Sequence, residues 1–273
     1  MNVDTNVDSA VHTAATLRGG KRPQRDSLVI IPTYDEIGNL GPLVGHVLAT
    51  GLFDVLVVDD QSPDGTGELA DELAKRFPER VMVLHRPGKQ GLGSAYLHGF
   101  AYALGAGYDR VFQMDADFSH DPDRLAGLRA ALDHADVVLG SRYVAGGATR
   151  RWPFWRRALS QGGSAYAALV LGLPLRDLTS GFKGFRREAL AALDFDAIHS
   201  TGYSFQIEVT YRCHQRGLRI VEVPITFADR RVGQSKMSGH IVTEALLMVW
   251  LLRFEHLRHG RILPWSGSSS AVR

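Results

Sequence analysis

The chain has 273 residues, a formal net charge of +2 and 22% charged side chains, so no bulk field draws it to nucleic acid. With 45% hydrophobic residues it can bury the core of one sizeable α/β domain with short additions at its ends. Its single cysteine, Cys213, excludes an internal disulfide, and no run of about 20 apolar residues offers a segment that spans a bilayer alone.

Residues 1–26 are small and polar, without the apolar stretch of a signal peptide or anchor, and read as a loose tail carrying Lys21, Arg22 and Arg25. From Ser27 apolar runs and amphipathic stretches alternate. Residues 28–32 (LVIIP) predict a buried strand, followed by a helix over 38–50. Residues 54–60 (DVLVVDD) predict a second strand closing in two aspartates, then a helix over 66–77. A third strand over 81–86 precedes a helix over 93–106. The fourth strand, 110–117 (RVFQMDAD), again finishes in carboxylates. Asp121 as N-cap and Pro122 at the first helical position start a helix to residue 134, and 136–143 (DVVLGSRY) is a fifth strand. Continuous apolar strands alternating with helices predict an α/β fold with a mainly parallel central sheet and helices on both faces. The main domain is expected over 27–239, an apolar C-terminal helix over 240–260, and a second loose tail over 261–273.

In such sheets ligands lie beyond the carboxyl ends of the strands. The polar residues gather at that edge: Tyr34, Asp35 and Glu36; Asp59 and Asp60; Lys89; Asp115 and Asp117; Arg142. Asp115-Ala116-Asp117 is the sharpest feature. Its two carboxylates repel unless a divalent cation with oxygen ligands, Mg²⁺ or Mn²⁺, lies between them. Such an ion could bridge a diphosphate and neutralise charge building on it as a leaving group. His85, His98 and His120 are scattered, so zinc is not indicated. Residues 59–66 (DDQSPDGT) combine a strand end, a turn and a helix start, with carboxylates that could accept from a base N–H or a ribose hydroxyl. A dinucleotide-binding oxidoreductase would need G-x-G-x-x-G after the first strand, where this chain has PTYDE, and no Walker loop is present. Arg142, Arg230, Arg231 and Lys236 lie in loops and suit phosphate oxygens.

The motifs run in order as PTYDE (32–36), VVDDQSPDGT (57–66), KQGLGSAYLHG (89–99), MDADFSH (114–120), GSRY (140–143), DLTSGFKGFRR (177–187), GYSFQIE (202–208) and DRRVGQSK (229–236). On these the chain resembles glycosyltransferase family 2, and within it the dolichol-phosphate (in bacteria polyprenol) mannose synthases, from about residue 29 to residue 253. The resemblance implies a GT-A catalytic domain over 27–239 and an inverting transfer of mannose from GDP-mannose to a polyprenyl phosphate, at the cytoplasmic face of a membrane. It implies that Pro32, Tyr34, Glu36, Val58 and Asp60 hold the nucleotide. Asp115, Asp117 and Ser119 would bind Mg²⁺ or Mn²⁺, with the Ala116 main chain beside them. Arg142, Arg230 and Lys236 would meet donor or acceptor phosphates, completing a catalytic set with Asp117. Three positions depart from the pattern: Asp35 where Asn is usual, Gln61 where Gly is common, and Ser119 where some relatives carry a longer amide.

A phosphate monoester, with a second pKa of about 6, is already largely ionised near neutral pH. It needs orientation and charge compensation rather than a base, which fits direct displacement without a covalent enzyme intermediate. A hydroxyl acceptor would need a base, for which Glu208 and Asp177 are the candidates. The alternatives are a polyprenyl-phosphate glucose synthase using UDP-glucose and a non-catalytic nucleotide-sugar-binding subunit. Relatives often carry transmembrane helices. This chain is instead expected to dock peripherally through 165–175 or 241–252, or to rely on an integral-membrane partner protein.

Overall fold

The structure, a computed structural model, describes residues 26–200, 202–229 and 247–255. Strand β1 (Ser27–Thr33) carries the run SLVIIPT, whose side chains are buried on both faces except at Pro32. Helix α1 (Ile37–Ala49) leads to β2 (Phe53–Asp59), buried throughout. Helix α2 (Thr66–Arg76) and β3 (Val81–His85) follow, then α3 (Leu92–Ala106) and β4 (Arg110–Gln113). A 3-10 turn (Pro122–Arg124) opens α4 (Leu125–Ala131), with Asp121 Oδ1 accepting from Asp123 N at 3.1 Å. The Asp-Pro start is therefore where the sequence puts it, but the regular helix is shorter than 121–134.

Beyond β5 (Val137–Ser141) the chain forms β6 (Ala148–Thr149), α5 (Phe154–Leu171), β7 (Lys183–Arg186), α6 (Arg187–Ala191), α7 (Gly202–Gln215), β8 (Ile220–Pro224) and β9 (Thr226–Phe227). The main sheet has the order β3-β2-β1-β4-β7-β5-β8, with β6 and β9 pairing separately. All its neighbours pair in parallel except β7, which runs antiparallel between β4 and β5. The alternation of strand and helix does not announce β7. Its reversal starts the strand on the same rim where β4 and β5 end, so the DLTSGF loop reaches the site.

The inner strands β1, β2, β4 and β5 bury both faces, which is why they read as unbroken apolar runs. On one face α3, α6 and α7 cover Leu28, Ile30, Leu56 and Val58; on the other α1, α2 and α4 cover Val29, Ile31, Val55 and Val57. A third cluster joins Ala167 and Leu171 of α5 to Ile207 and Tyr211 of α7, and to Val249 and Leu252 of the helical residues 247–255. Gly99 lets α3 lie close on β1: an added Cβ would stand 2.6 Å from Ile30 Cγ2.

Candidate active site

The carboxyl ends of β1, β2, β3, β4 and β5 share one rim, and the expected polar residues assemble along it. The β4 ladder stops at Gln113, short of the expected 117. Met114 N still donates to Ile30 O at 3.1 Å, and Asp115–Asp117 then turn out of the sheet. Phe118 takes φ 59°, a left-handed conformation unusual for a bulky residue. The turn brings Ser119 N to Asp117 Oδ1 at 3.0 Å. Asp115 Oδ1 accepts from Tyr96 Oη at 3.0 Å, and Asp115 N donates to His120 Nδ1 at 3.2 Å. That bond leaves the imidazole proton on Nε2. Burial holds His120 below the usual histidine range, and its ring stacks on Phe182 at 4.9 Å.

Asp117 and Ala116 are buried, and Asp115 is half-exposed. Among the described residues no group of three or more His, Cys, Asp or Glu is placed to hold a metal ion. The protein therefore offers a carboxylate pair, the pattern by which Mg²⁺ is held through one or two carboxylates, water and substrate phosphates. Ser119 Oγ is buried without a hydrogen-bond partner in the same turn, which fits a ligand-facing role. The donor set suits Mg²⁺ or Mn²⁺ held by Asp115, Asp117 and Ser119.

The other acidic strand end is already engaged. Asp59 accepts from Thr33 Oγ1 at 2.9 Å, Ser62 Oγ at 2.6 Å and Ser62 N at 3.0 Å, so it shapes the turn. Asp60 sits 2.8 Å from Arg86 Nη1 and accepts from Gln90 N at 3.3 Å. Burial outweighs the arginine and lifts its carboxyl above the usual range. Arg86, outside the set of expected site residues, is buried and also donates to Gln90 Oε1 and Ser94 Oγ, each at 3.0 Å. Its sequence signal is a charge closing an apolar strand, as at the other strand ends. The Val58 side chain lies in the core, so only its main chain can meet a nucleotide.

The PTYDE loop is fixed from across the rim. Glu36 N donates to Thr66 Oγ1 at 2.9 Å, Ile37 N to Asp64 Oδ2 at 3.1 Å, and Asp35 N to Ser62 Oγ at 3.2 Å. Glu36 Oε2 accepts from Asn39 Nδ2 at 2.8 Å. Lys89 Nζ stands 3.7 Å from the Tyr34 ring centroid, so Tyr34 joins the first and third loops. Pro32 is half-buried beside Val58. Asp35 has φ 62° and Gln61 φ 55°. Asn and Gly tolerate that left-handed region best, so both departures fall where the backbone is strained.

Arg142 is not an open phosphate ligand. It is 5% exposed, and its N, Nε and Nη2 all donate to Asp177, at 2.9, 2.7 and 2.6 Å. Tyr143, Trp152 and Phe227 surround the guanidinium at 5.1 to 5.5 Å. Asp177 is fully buried. Glu208 accepts from Arg212 Nε at 2.8 Å and Ser200 N at 3.0 Å. Both base candidates are therefore buried in ion pairs. Arg230, Arg231 and Lys236 lie outside the described residues.

An acidic pair suited to a divalent ion at the carboxyl rim of a mainly parallel sheet is the kind of site a nucleotide-sugar transferase uses. The sequence model of "Glycosyl transferase family 2" matches residues 28–194, and the chain belongs to that family. It is 50% identical over 236 residues to the polyprenol monophosphomannose synthase of Mycolicibacterium smegmatis, covering 85% of this chain and 89% of that protein. It is 51% identical to the undecaprenyl-phosphate mannosyltransferase of Micrococcus luteus, covering 85% and 97%. Among solved structures, glucosyl-3-phosphoglycerate synthase from Mycobacterium tuberculosis, crystallised with Mn²⁺, UDP and phosphoglyceric acid, matches at 18% identity. It does so with a TM-score of 0.61 over 94% of this chain and 83% of that one. The fold is GT-A-like.

Proposed function

We propose that the protein transfers mannose from GDP-mannose to a polyprenyl phosphate, giving polyprenyl-phosphate mannose with inversion. The observation that carries the acceptor class is the burial of Asp177 and Glu208 in ion pairs with Arg142 and Arg212. A hydroxyl acceptor would need a free base there; a phosphate, already ionised, does not. The two curated relatives at 50% and 51% identity are named for mannose transfer to a polyprenyl carrier, which supports mannose over glucose. Bound at Asp115 and Asp117, Mg²⁺ or Mn²⁺ would supply charge stabilisation to the departing nucleoside diphosphate. Tyr34, Glu36 and the Asp60–Arg86 pair form the nucleotide wall, and the Arg142–Asp177 pair holds the GSRY and DLTSGF loops together.

The acceptor places the reaction at a membrane surface. No helix among the described residues is long and apolar enough to cross a bilayer. Helix α5 exposes Phe154, Trp155, Leu159 and Leu169, and residues 247–255 expose Leu247, Trp250, Leu251 and Phe254. From Ala158 to Pro174 no residue carries a charge, while Arg150, Arg151, Arg156 and Arg157 cluster at the other end. An apolar face with aromatic anchors and a basic collar suits an anionic bilayer interface. A cavity of about 710 Å³ opens on this helix between Tyr143 and Pro174.

Presenting GDP-mannose, GDP-glucose and UDP-glucose in turn, with a short polyprenyl phosphate and Mg²⁺, tests the donor. Product from GDP-mannose alone supports the reading; product from UDP-glucose alone overturns the sugar.

A further inference from the structure

Two glutamine amides, those of Gln113 and Gln206, lie buried with nothing to bond. Gln206 on α7 is 2% exposed and Gln113, the last residue of β4, is 0% exposed. In both, neither Nε2 nor Oε1 has a hydrogen-bond partner. Leaving one buried amide unmade costs a folded protein about 1–3 kcal/mol, so such groups call for a functional reason.

The Gln206 main chain is held firmly. Lys183 Nζ donates to Gln206 O at 2.6 Å and to Thr210 Oγ1 at 2.9 Å, and Thr210 Oγ1 donates to Gln206 O at 2.9 Å. Lys183 is the register partner of Gln113 across the sheet, so both glutamines belong to the α7 side of the rim. The amide end of Gln206 reaches the site through Gly181. A Cβ on Gly181 would stand 3.5 Å from Gln206 Nε2, 3.5 Å from His120 Cε1 and 3.6 Å from Asp115 Oδ2. These three groups line one small space that any larger residue would fill.

We propose that Gln206 binds a hydroxyl of the donor sugar in the cradle left open by Gly181. This rests on the reading that the site takes a nucleotide-sugar. An amide with both ends unfilled presents a donor and an acceptor side by side, and a hydroxyl can serve both at once. Asp115 Oδ2 at the edge of the same space places that hydroxyl next to the diphosphate site, where the sugar's first carbons must lie. A sugar lacking or inverting the hydroxyl would leave the amide unmade, so Gln206 helps to set donor selectivity as well as affinity.

Calorimetric titration of the full chain with GDP and with GDP-mannose, in Mg²⁺, tests this through the ratio of the two dissociation constants. Gln206→Leu should lower that ratio about tenfold, the loss expected for one or two hydrogen bonds, while the GDP constant stays within about twofold. Should that variant fail to fold, Gly181→Ala, whose Cβ would meet only ordinary contacts of 3.5 to 3.6 Å, should lower the ratio in the same way. A ratio unchanged in both variants, or near one in the wild type, would overturn the assignment. If the wild type binds UDP and UDP-glucose instead, the GDP-mannose reading fails, and the same ratio taken with uridine ligands still decides the role of Gln206.

Discussion

Removing Asp177 tests whether the buried Arg142 ion pair is architecture rather than chemistry. Asp177→Ala leaves a guanidinium 5% exposed and stripped of two hydrogen bonds to one carboxylate, and it takes the acceptor from the Arg142 main-chain N–H. Breaking a buried pair in this way costs about 3–5 kcal/mol. The rings of Tyr143, Trp152 and Phe227 at 5.1 to 5.5 Å remain and soften the loss by about 1 kcal/mol. At about 2–4 °C per kcal/mol for a domain of this size, the melting temperature falls by roughly 4–16 °C. Urea unfolding followed by circular dichroism should show the loss as a lower midpoint with an unchanged slope. The charge-free pair Arg142→Met with Asp177→Leu should recover most of it, because no buried charge then lacks a partner. A single variant within about 0.5 kcal/mol of wild type, the size of an ordinary surface change, would refute the reasoning. So would a double variant whose loss equals the sum of the single losses.

Burial lowers the Lys183 amine from 10.5 to about 7. Between those values the unfolded chain binds the extra proton, so stability rises with pH. Cys213, whose thiol burial raises from 9.0 to about 12, acts in the opposite sense above pH 9. The clean window is therefore pH 7–9, where the gain should approach about 1.4 kcal/mol per pH unit and vanish in Lys183→Met. An equal slope in that variant would assign the effect elsewhere. Gly99→Ala would press on Ile30 at 2.6 Å and cost about 1–3 kcal/mol, whereas Gly127→Ala, with nothing within 4 Å, should stabilise α4 by up to about 1 kcal/mol. Chemical denaturation of both variants checks the contrast. Trp155→Glu with Leu169→Glu should abolish co-sedimentation with anionic vesicles without lowering the melting temperature; undiminished recovery would move the docking surface elsewhere.

The strands and helices of the first half were legible because the inner strands are buried on both faces and so read as apolar runs, and the edge strand β3 keeps the same apolar run though it is only partly buried. The carboxylate pair was legible because a strand that ends in two aspartates leaves the core at a defined edge. Three features were not. Strand β7 is four residues long and embeds a buried lysine, so neither length nor apolarity marks it. The engagement of Arg142 by Asp177 joins residues 35 positions apart, and a side chain's partner across loops leaves no trace in local pattern. Gln206 sits in a helix where a polar residue ordinarily means a solvent face; only its burial beside Gly181 distinguishes it.

The most direct measurement compares polyprenyl phosphate with the matching polyprenol as acceptor for labelled mannose from GDP-mannose, with Mg²⁺ or EDTA, using wild type and Asp117→Ala. The account predicts product only from the phosphate, only with metal, and only with the wild type. Transfer to the alcohol at a comparable rate would contradict it, because a base would then have to exist where the structure buries Asp177 and Glu208 in ion pairs.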